Sequence, residues 1–191
     1  ESEFEIQHID GSIHAYLMVK FPLMDVQKQV FGQCTICTDI TERKQAEDAL
    51  REHQSRLNYM AFHDSLTGLP NRSLFYDRIN HGLARAQRNG SKVVLMLLDL
   101  DRFKNINDSL GHDAGDLLLK ETARRITLSV PESDTVARLG GDEFTLILQH
   151  ANAQDAIAKI VSSILQRLKE PFELGEHQGH IAASIGISRY P

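Results

Sequence analysis

The sequence predicts an α+β chain: a ferredoxin-like palm sheet preceded by a small antiparallel sheet and a connecting helix. Three observations predict it. From residue 93 onward the apolar pattern runs strand, helix, helix, strand, strand, helix, strand, an order consistent with a ferredoxin-like sheet. Gly140-Gly141 stands between Val136-Ala137-Arg138-Leu139 and the alternating Phe144, Leu146 and Leu148, which reads as a β-hairpin with a glycine turn. Before residue 40 apolar residues alternate with polar ones, and from Thr41 the pattern becomes helical.

Bulk composition narrows the classes. A chain of 191 residues has room for one full domain and a smaller piece. Its 41% hydrophobic and 25% charged content is ordinary for a globular protein, and a net charge of −5 argues against a nucleic-acid or anionic-membrane partner. No apolar run reaches membrane-spanning length and no signal-peptide pattern opens the chain. The first residue is Glu, so the chain reads as a fragment, expected in the cytoplasm, with any membrane anchor upstream. Cys34 and Cys37 have C-x-x-C spacing, but on a strand residues three apart face opposite sides, and no second pair completes a zinc site. They are expected to be small half-buried side chains in a reducing compartment.

Taken in order, Phe4 and Ile6 form one alternating run, and Ile13, Ala15, Leu17 and Val19 a second after the Asp10-Gly11 turn signal. Residues 30–40 form a third. Three such strands cannot close a core alone. A helix follows from Thr41, its expected N-cap, to about Met60, with Leu50 and Leu57 one heptad apart and Ala46, His53 and Met60 between. This thin seam suits either a short parallel coiled coil or a solvated linker. Residues 62–72 form a loop, and 73–88 an amphipathic helix ended by Asn89-Gly90. Residues 93–98 are continuously apolar, the pattern of a strand buried on both faces. Helices are expected near 103–109, 114–129 and 153–168, with a strand pair ending in 181–188.

The acids lie at strand ends. Asp99-Leu100-Asp101 closes the buried strand with both carboxylates on one side, and Asp142-Glu143 occupies the hairpin tip. Adjacent carboxylates repel unless a cation or substrate sits between them, so the two stretches together suggest an oxygen cage for Mg2+. Each acid also has a plainer reading: Asp101 and Asp108 can cap helices, and His63 and His112 in loops are more often structural than metal ligands.

Asp99-Leu100-Asp101-Arg102-Phe103-Lys104-Asn105-Ile106-Asn107-Asp108, Gly111-His112, Gly115-Asp116 and Gly140-Gly141-Asp142-Glu143-Phe144 closely resemble the GGDEF family of bacterial diguanylate cyclases. The lead-in His63-Asp64-Ser65-Leu66-Thr67-Gly68-Leu69-Pro70-Asn71-Arg72 and the late Ser184-Ile185-Gly186-Ile187 fit the same family. The resemblance implies a nucleotidyl-cyclase palm that condenses two GTP into cyclic di-GMP with release of pyrophosphate, working as a homodimer with Mg2+ or Mn2+. By match to the family motif, Asp99 and Asp142 are the metal carboxylates, with the Leu100 carbonyl as a further ligand. Glu143 is the acid that activates the hydroxyl or holds a second ion. Asn107 and Asp116 are the guanine readers, Phe103 and Lys104 the phosphate turn, and Gly140 and Gly141 substrate contacts.

Residues 1–40, ending Asp39-Ile40-Thr41-Glu42-Arg43-Lys44, resemble the last strands of a PAS sensor domain, with 41–61 as its output helix and 62–191 as the GGDEF domain. The plainer reading of 1–40 is a β-meander used only for packing. Pro171-Phe172 and residues 184–191 resemble GGDEF domains followed by an EAL phosphodiesterase domain. Two departures stand out. The family's product-inhibition Arg-x-x-Asp reads Pro131-Glu132-Ser133-Asp134 here, without the Arg, and the chain stops before the family's late Lys and Arg for the triphosphate. A regulatory GTP-binding module and a structural dimerisation fragment are therefore the competing expectations.

Overall fold

In the computed structural model, which describes residues 1–149 and 154–191, the first strands pair as predicted. β1 (Ser2–Gln7), β2 (Ile13–Met24) and β3 (Val30–Asp39) form an antiparallel meander in that order. Asp10 shapes the first turn by accepting from the Ser12 backbone and hydroxyl, while Gly11 takes a φ of +88°. β2 runs on past Val19 to Met24 through Pro22, beyond the alternating residues that mark its first half. Cys34 is half-buried and Cys37 exposed, and both thiols are free.

α1 (Thr41–Phe62) begins where expected, but its cap differs. Thr41 lies inside the helix, and the Asp39 carboxylate accepts from its N–H and hydroxyl. Leu50, Leu57 and Met60 are all exposed. The chain divides into two compact units, residues 1–58 and 59–191. Among the described residues no helix is long and apolar enough to cross a membrane.

In the second unit α2 (Arg72–Asn89) is capped by Asn71, which accepts from the backbone of Ser73 and Leu74, and it ends at Gly90 with φ +62°. β4 (Val93–Asp101) is followed by α3 (Phe103–Leu110), α4 (His112–Thr127), β5 (Thr135–Gly140), β6 (Glu143–Leu148) and α5 (Gln154–Lys169). The predicted start of the last of these, Ala153, lies outside the described residues. β7 (Phe172–Leu174) and β8 (His177–Gly179) form a separate hairpin, so the expected late strand pair is instead this hairpin plus β9 (Ala182–Tyr190). The main sheet runs β5-β6-β4-β9 with every neighbour antiparallel, which is the ferredoxin-like order.

The core explains where the sheet opens. Val94, Met96, Leu98 and Leu100 of β4 pack with Leu118 and Ile126 of α4 and with Ile164 and Leu168 of α5, all essentially fully buried. Each such side chain contributes about 1.5–3 kcal/mol by leaving water. On the opposite face Val93 packs with Phe75 and Ala86 of α2, Ala137 and Ile147. That second layer stops early. Leu97 is 47% exposed and Asp99 and Asp101 are exposed, so β4 is buried on both faces only at its start, contrary to the continuous apolar run. The bare strip is where the acids stand.

Arg125 of α4 closes the other end of the core. Its guanidinium donates to the carbonyls of Arg167, Glu170 and Pro171 at 2.9, 2.7 and 2.7 Å, satisfying groups at the C-terminal end of α5. It also bonds Glu121 at 2.8 Å and lies 3.9 Å over the Phe172 ring.

Candidate active site

Strand register brings the predicted acids together. Asp99 on β4 stands opposite Glu143 on β6 and, on its other side, opposite Ser184 on β9. Asp101 follows on the same open face, and its carboxylate accepts from the Ser184 hydroxyl at 2.8 Å. The hairpin turn is shifted by one residue from the predicted Gly140-Gly141 pair. Gly140 belongs to β5 and pairs with Glu143, leaving Gly141 and Asp142 as the two-residue turn. Gly140 has φ +143° and Gly141 φ +54°, both in the region that favours glycine. Two adjacent glycines allow either register, and an irregularity between Arg138 and Gly140 selects this one.

Arg138 holds the turn. Its Nε and Nη2 donate to the Gly141 carbonyl at 2.9 and 2.8 Å, and its Nη1 donates to Asp64 at 2.9 Å. Asp64 is itself fixed by the Thr67 N–H and hydroxyl. Burial pushes the Asp64 carboxyl up, but the bonds from Thr67 and Arg138 outweigh it and hold it below the ordinary range. This tether of the acidic turn to a loop far away in the chain has no local sequence signal: Asp64 lies in the recognised lead-in, but Arg138 precedes the Gly140 to Phe144 motif.

The acids crowd one another. The Asp99 carboxyl is raised above its ordinary value, first by the partial loss of solvent that its neighbours impose and then by the negative charges of Asp142, Glu143 and Asp101. Among the described residues no Lys or Arg pairs with any of these four. Among the described residues, too, no group of three or more His, Cys, Asp or Glu converges at metal-ligand spacing, so the expected cage is an open acidic rim instead. Such a rim fits Mg2+, which keeps waters and takes one or two carboxylates together with substrate phosphates. The residues present therefore suit a hard divalent cation.

A raised carboxyl has a stability consequence of fixed sign. The folded state binds the Asp99 proton more tightly than the unfolded one, so its contribution is present at low pH and lost as pH rises through the folded value. Asp99→Asn is expected to raise the melting temperature of the metal-free protein near neutral pH. The gain should vanish as pH falls below the carboxylate range, which thermal melts at several pH values will read.

Beside these acids an open cleft of about 730 Å³ is lined by Asp99, Asp101, Arg102, Asn105, Ile106 and His180, among others. Asn107 and Asp116 lie apart from that lining, at the junction of α3 and α4. Asp116 is exposed, and Asn107 lies against Gly115. A methyl group at Gly115 would overlap the Asn107 side-chain oxygen and come within 3.3 Å of the Phe103 ring. Phe103 and Leu100 bury their side chains in the core, leaving only their backbones to face a ligand, whereas Lys104 is exposed. Among the described residues no side chain caps the start of α3 or α4, so the plainer capping role for Asp101 and Asp108 is not seen. His63 has a structural place, with Nδ1 3.1 Å from the Tyr59 carbonyl and its ring stacked on Tyr59. His112 is the exposed first residue of α4.

Comparison with known proteins bears on this arrangement. The family model described as "Diguanylate cyclase, GGDEF domain" matches residues 61–191. The bifunctional diguanylate cyclase/cyclic di-GMP phosphodiesterase MucR of Pseudomonas aeruginosa is 42% identical over 143 residues, covering 75% of this chain and 21% of MucR. The solved GGDEF domain of TpbB from Pseudomonas aeruginosa superposes with a TM-score of 0.65 at 41% identity, covering 68% of this chain and 76% of that one. The coiled coil and GGDEF domain of DgcB from Caulobacter crescentus, solved in complex with c-di-GMP, gives 0.71 at 28% identity, covering 80% of this chain and 81% of that one. The chain spans about a fifth of the length of MucR.

Proposed function

Since the chain belongs to the GGDEF family of diguanylate cyclases, a family of cyclic di-GMP signalling, we propose that it binds GTP at the acidic rim and, as a homodimer, condenses two GTP into cyclic di-GMP. The observation that carries this reading is the register of Asp99 against Glu143 beside Asp142, three carboxylates that pair with no Lys or Arg among the described residues. Asp99, Asp142 and the Leu100 carbonyl would hold Mg2+ or Mn2+, which supplies charge neutralisation for the triphosphate. Glu143 accepts the proton of a 3′-hydroxyl, whose oxygen bonds to the α-phosphorus of the partner's nucleotide as the bond to pyrophosphate breaks. The second half of the dimer repeats the step, so two phosphodiester bonds form and two pyrophosphates leave. Each domain contributes one nucleotide, which is why two copies are needed.

Asp116 and Asn107 read guanine, because a carboxylate accepts from its N1 and N2 donors and adenine offers no such edge. The backbone at Phe103 and the Lys104 charge hold phosphate, and Gly140 and Gly141 let the nucleotide approach the turn. Gly115 preserves the pose of Asn107. Gly115→Ala is expected to weaken GTP binding about tenfold while shifting stability little, measured by calorimetry beside a thermal melt.

We place residues 1–40 as the final strands of a PAS sensor, 41–61 as a linker helix that pairs between two copies, and 62–191 as the GGDEF domain. A second reading, a GTP-binding module that regulates an attached EAL phosphodiesterase without cyclising, is favoured by a relative named solely for the phosphodiesterase activity, the cyclic di-GMP phosphodiesterase PdeR of Escherichia coli, 41% identical over 165 residues. Incubating the protein with GTP and Mg2+ and assaying cyclic di-GMP separates them. Product supports the cyclase, and GTP binding without product supports the regulatory module.

A further inference from the structure

One carboxylate of the acidic rim takes no part in the scheme above. Asp101 ends β4 two residues after Asp99, so both side chains rise from the same face of the strand, about 7 Å apart along it. Both line the same open cleft. Asp101 caps no helix, and among the described residues it pairs with no Lys or Arg. Its bond there comes from Ser184, whose hydroxyl donates to Oδ1 at 2.8 Å. That bond is diagonal. Across the β4–β9 ladder Asp101 faces Ala182, whereas Ser184 faces Asp99. Asp101 is therefore drawn back along the sheet toward Asp99 and held there, with Oδ2 left without a protein partner among the described residues.

Both partners are exposed, and an exposed hydroxyl–carboxylate bond adds little to stability. The chemistry of a hard divalent cation gives the bond a use. Mg2+ gives up its waters reluctantly and keeps several of them when carboxylates and phosphates bind it. Those waters donate, and a carboxylate standing just outside the ligands accepts from them and so fixes the ligands in place. We propose that Asp101 is the outer carboxylate of the cation held by Asp99 and Asp142, accepting through Oδ2 from the water around that ion, and that Ser184 is the positioning residue that aims it. This rests on the GTP and cation reading above and goes beyond it by giving roles to two residues that the reading leaves idle.

The test measures Mn2+ affinity of the full chain by electron paramagnetic resonance. It is done beside a GTP analogue with a methylene between its α- and β-phosphorus, which cannot release pyrophosphate. Asp101→Asn and Ser184→Ala are each expected to weaken Mn2+ about tenfold, the lower end of the loss for an outer partner of a metal ligand, with the melting temperature unchanged. Ser184→Thr keeps the hydroxyl and should bind Mn2+ as the wild type does. Because the two residues act through one bond, the double variant should lose no more than the weaker of the single ones. Wild-type affinity in Ser184→Ala, with or without a loss in Asp101→Asn, would overturn the proposal and leave the cation site standing. So would losses that multiply in the double variant, or a loss that follows a fall in melting temperature. A wild-type chain that binds no Mn2+ beside the analogue would overturn the reading of the site as well.

Discussion

Glu143→Gln is expected to lower cyclic di-GMP formation by at least about 10²-fold, the scale of a lost general base. Gln keeps the shape of the side chain and removes its capacity to take a proton. Glu143 is exposed at the first position of β6, opposite Asp99, so the substitution disturbs no packing. It also removes one of the charges that raise the Asp99 carboxyl, and the variant should melt no lower than the wild type. GTP affinity should remain within a few-fold. Product quantified by chromatography, alongside nucleotide binding and a melt, separates lost chemistry from lost folding. Wild-type turnover in Glu143→Gln would remove Glu143 from the reaction.

Arg125→Ala is expected to destabilise the fold by about 3–5 kcal/mol, the usual result of stripping one partner from a buried charged network. The Arg125 side chain is only 8% exposed, and its removal leaves three carbonyls and Glu121 short of a donor while opening space over Phe172. For a domain of this size the melting temperature should fall by about 10 °C or more. Arg125→Lys should recover little, since a single ammonium cannot serve three carbonyls as a fork does.

The same network sets a pH dependence. The Glu121 carboxyl is held at about 2, first by the Arg124 guanidinium, against its burial, and then by Arg125. A depressed carboxyl stabilises above its unfolded value and loses that contribution as pH falls through the folded one. Stability should therefore decline from about pH 5 toward pH 2, more steeply in the wild type than in Arg125→Ala. A urea titration at several pH values measures both effects.

The strands, helices and acid pair were legible because each rests on local chemistry. Alternation marks β1 to β3, Gly90 ends α2, and the Asp99 and Glu143 motifs lie at the ends of apolar runs. What escaped depends on pairing across the chain. Acids at positions 99 and 101 disguised the end of β4, whose full length shows only once β9 pairs along it to Asp101. The β7–β8 hairpin is two three-residue strands, too short for a periodic signal. Arg138 meets Asp64 across 74 positions and Arg125 meets α5 and its exit across more than 40, separations that no local pattern encodes.

Asp99 and Asp142 are expected to share one divalent cation with the nucleotide, beside Glu143. A crystal of the protein grown with Mn2+ and the methylene GTP analogue, read by anomalous scattering, tests it directly. A manganese peak shared by both carboxylates and a phosphate oxygen is the predicted result. Bound nucleotide whose metal touches neither carboxylate would contradict it.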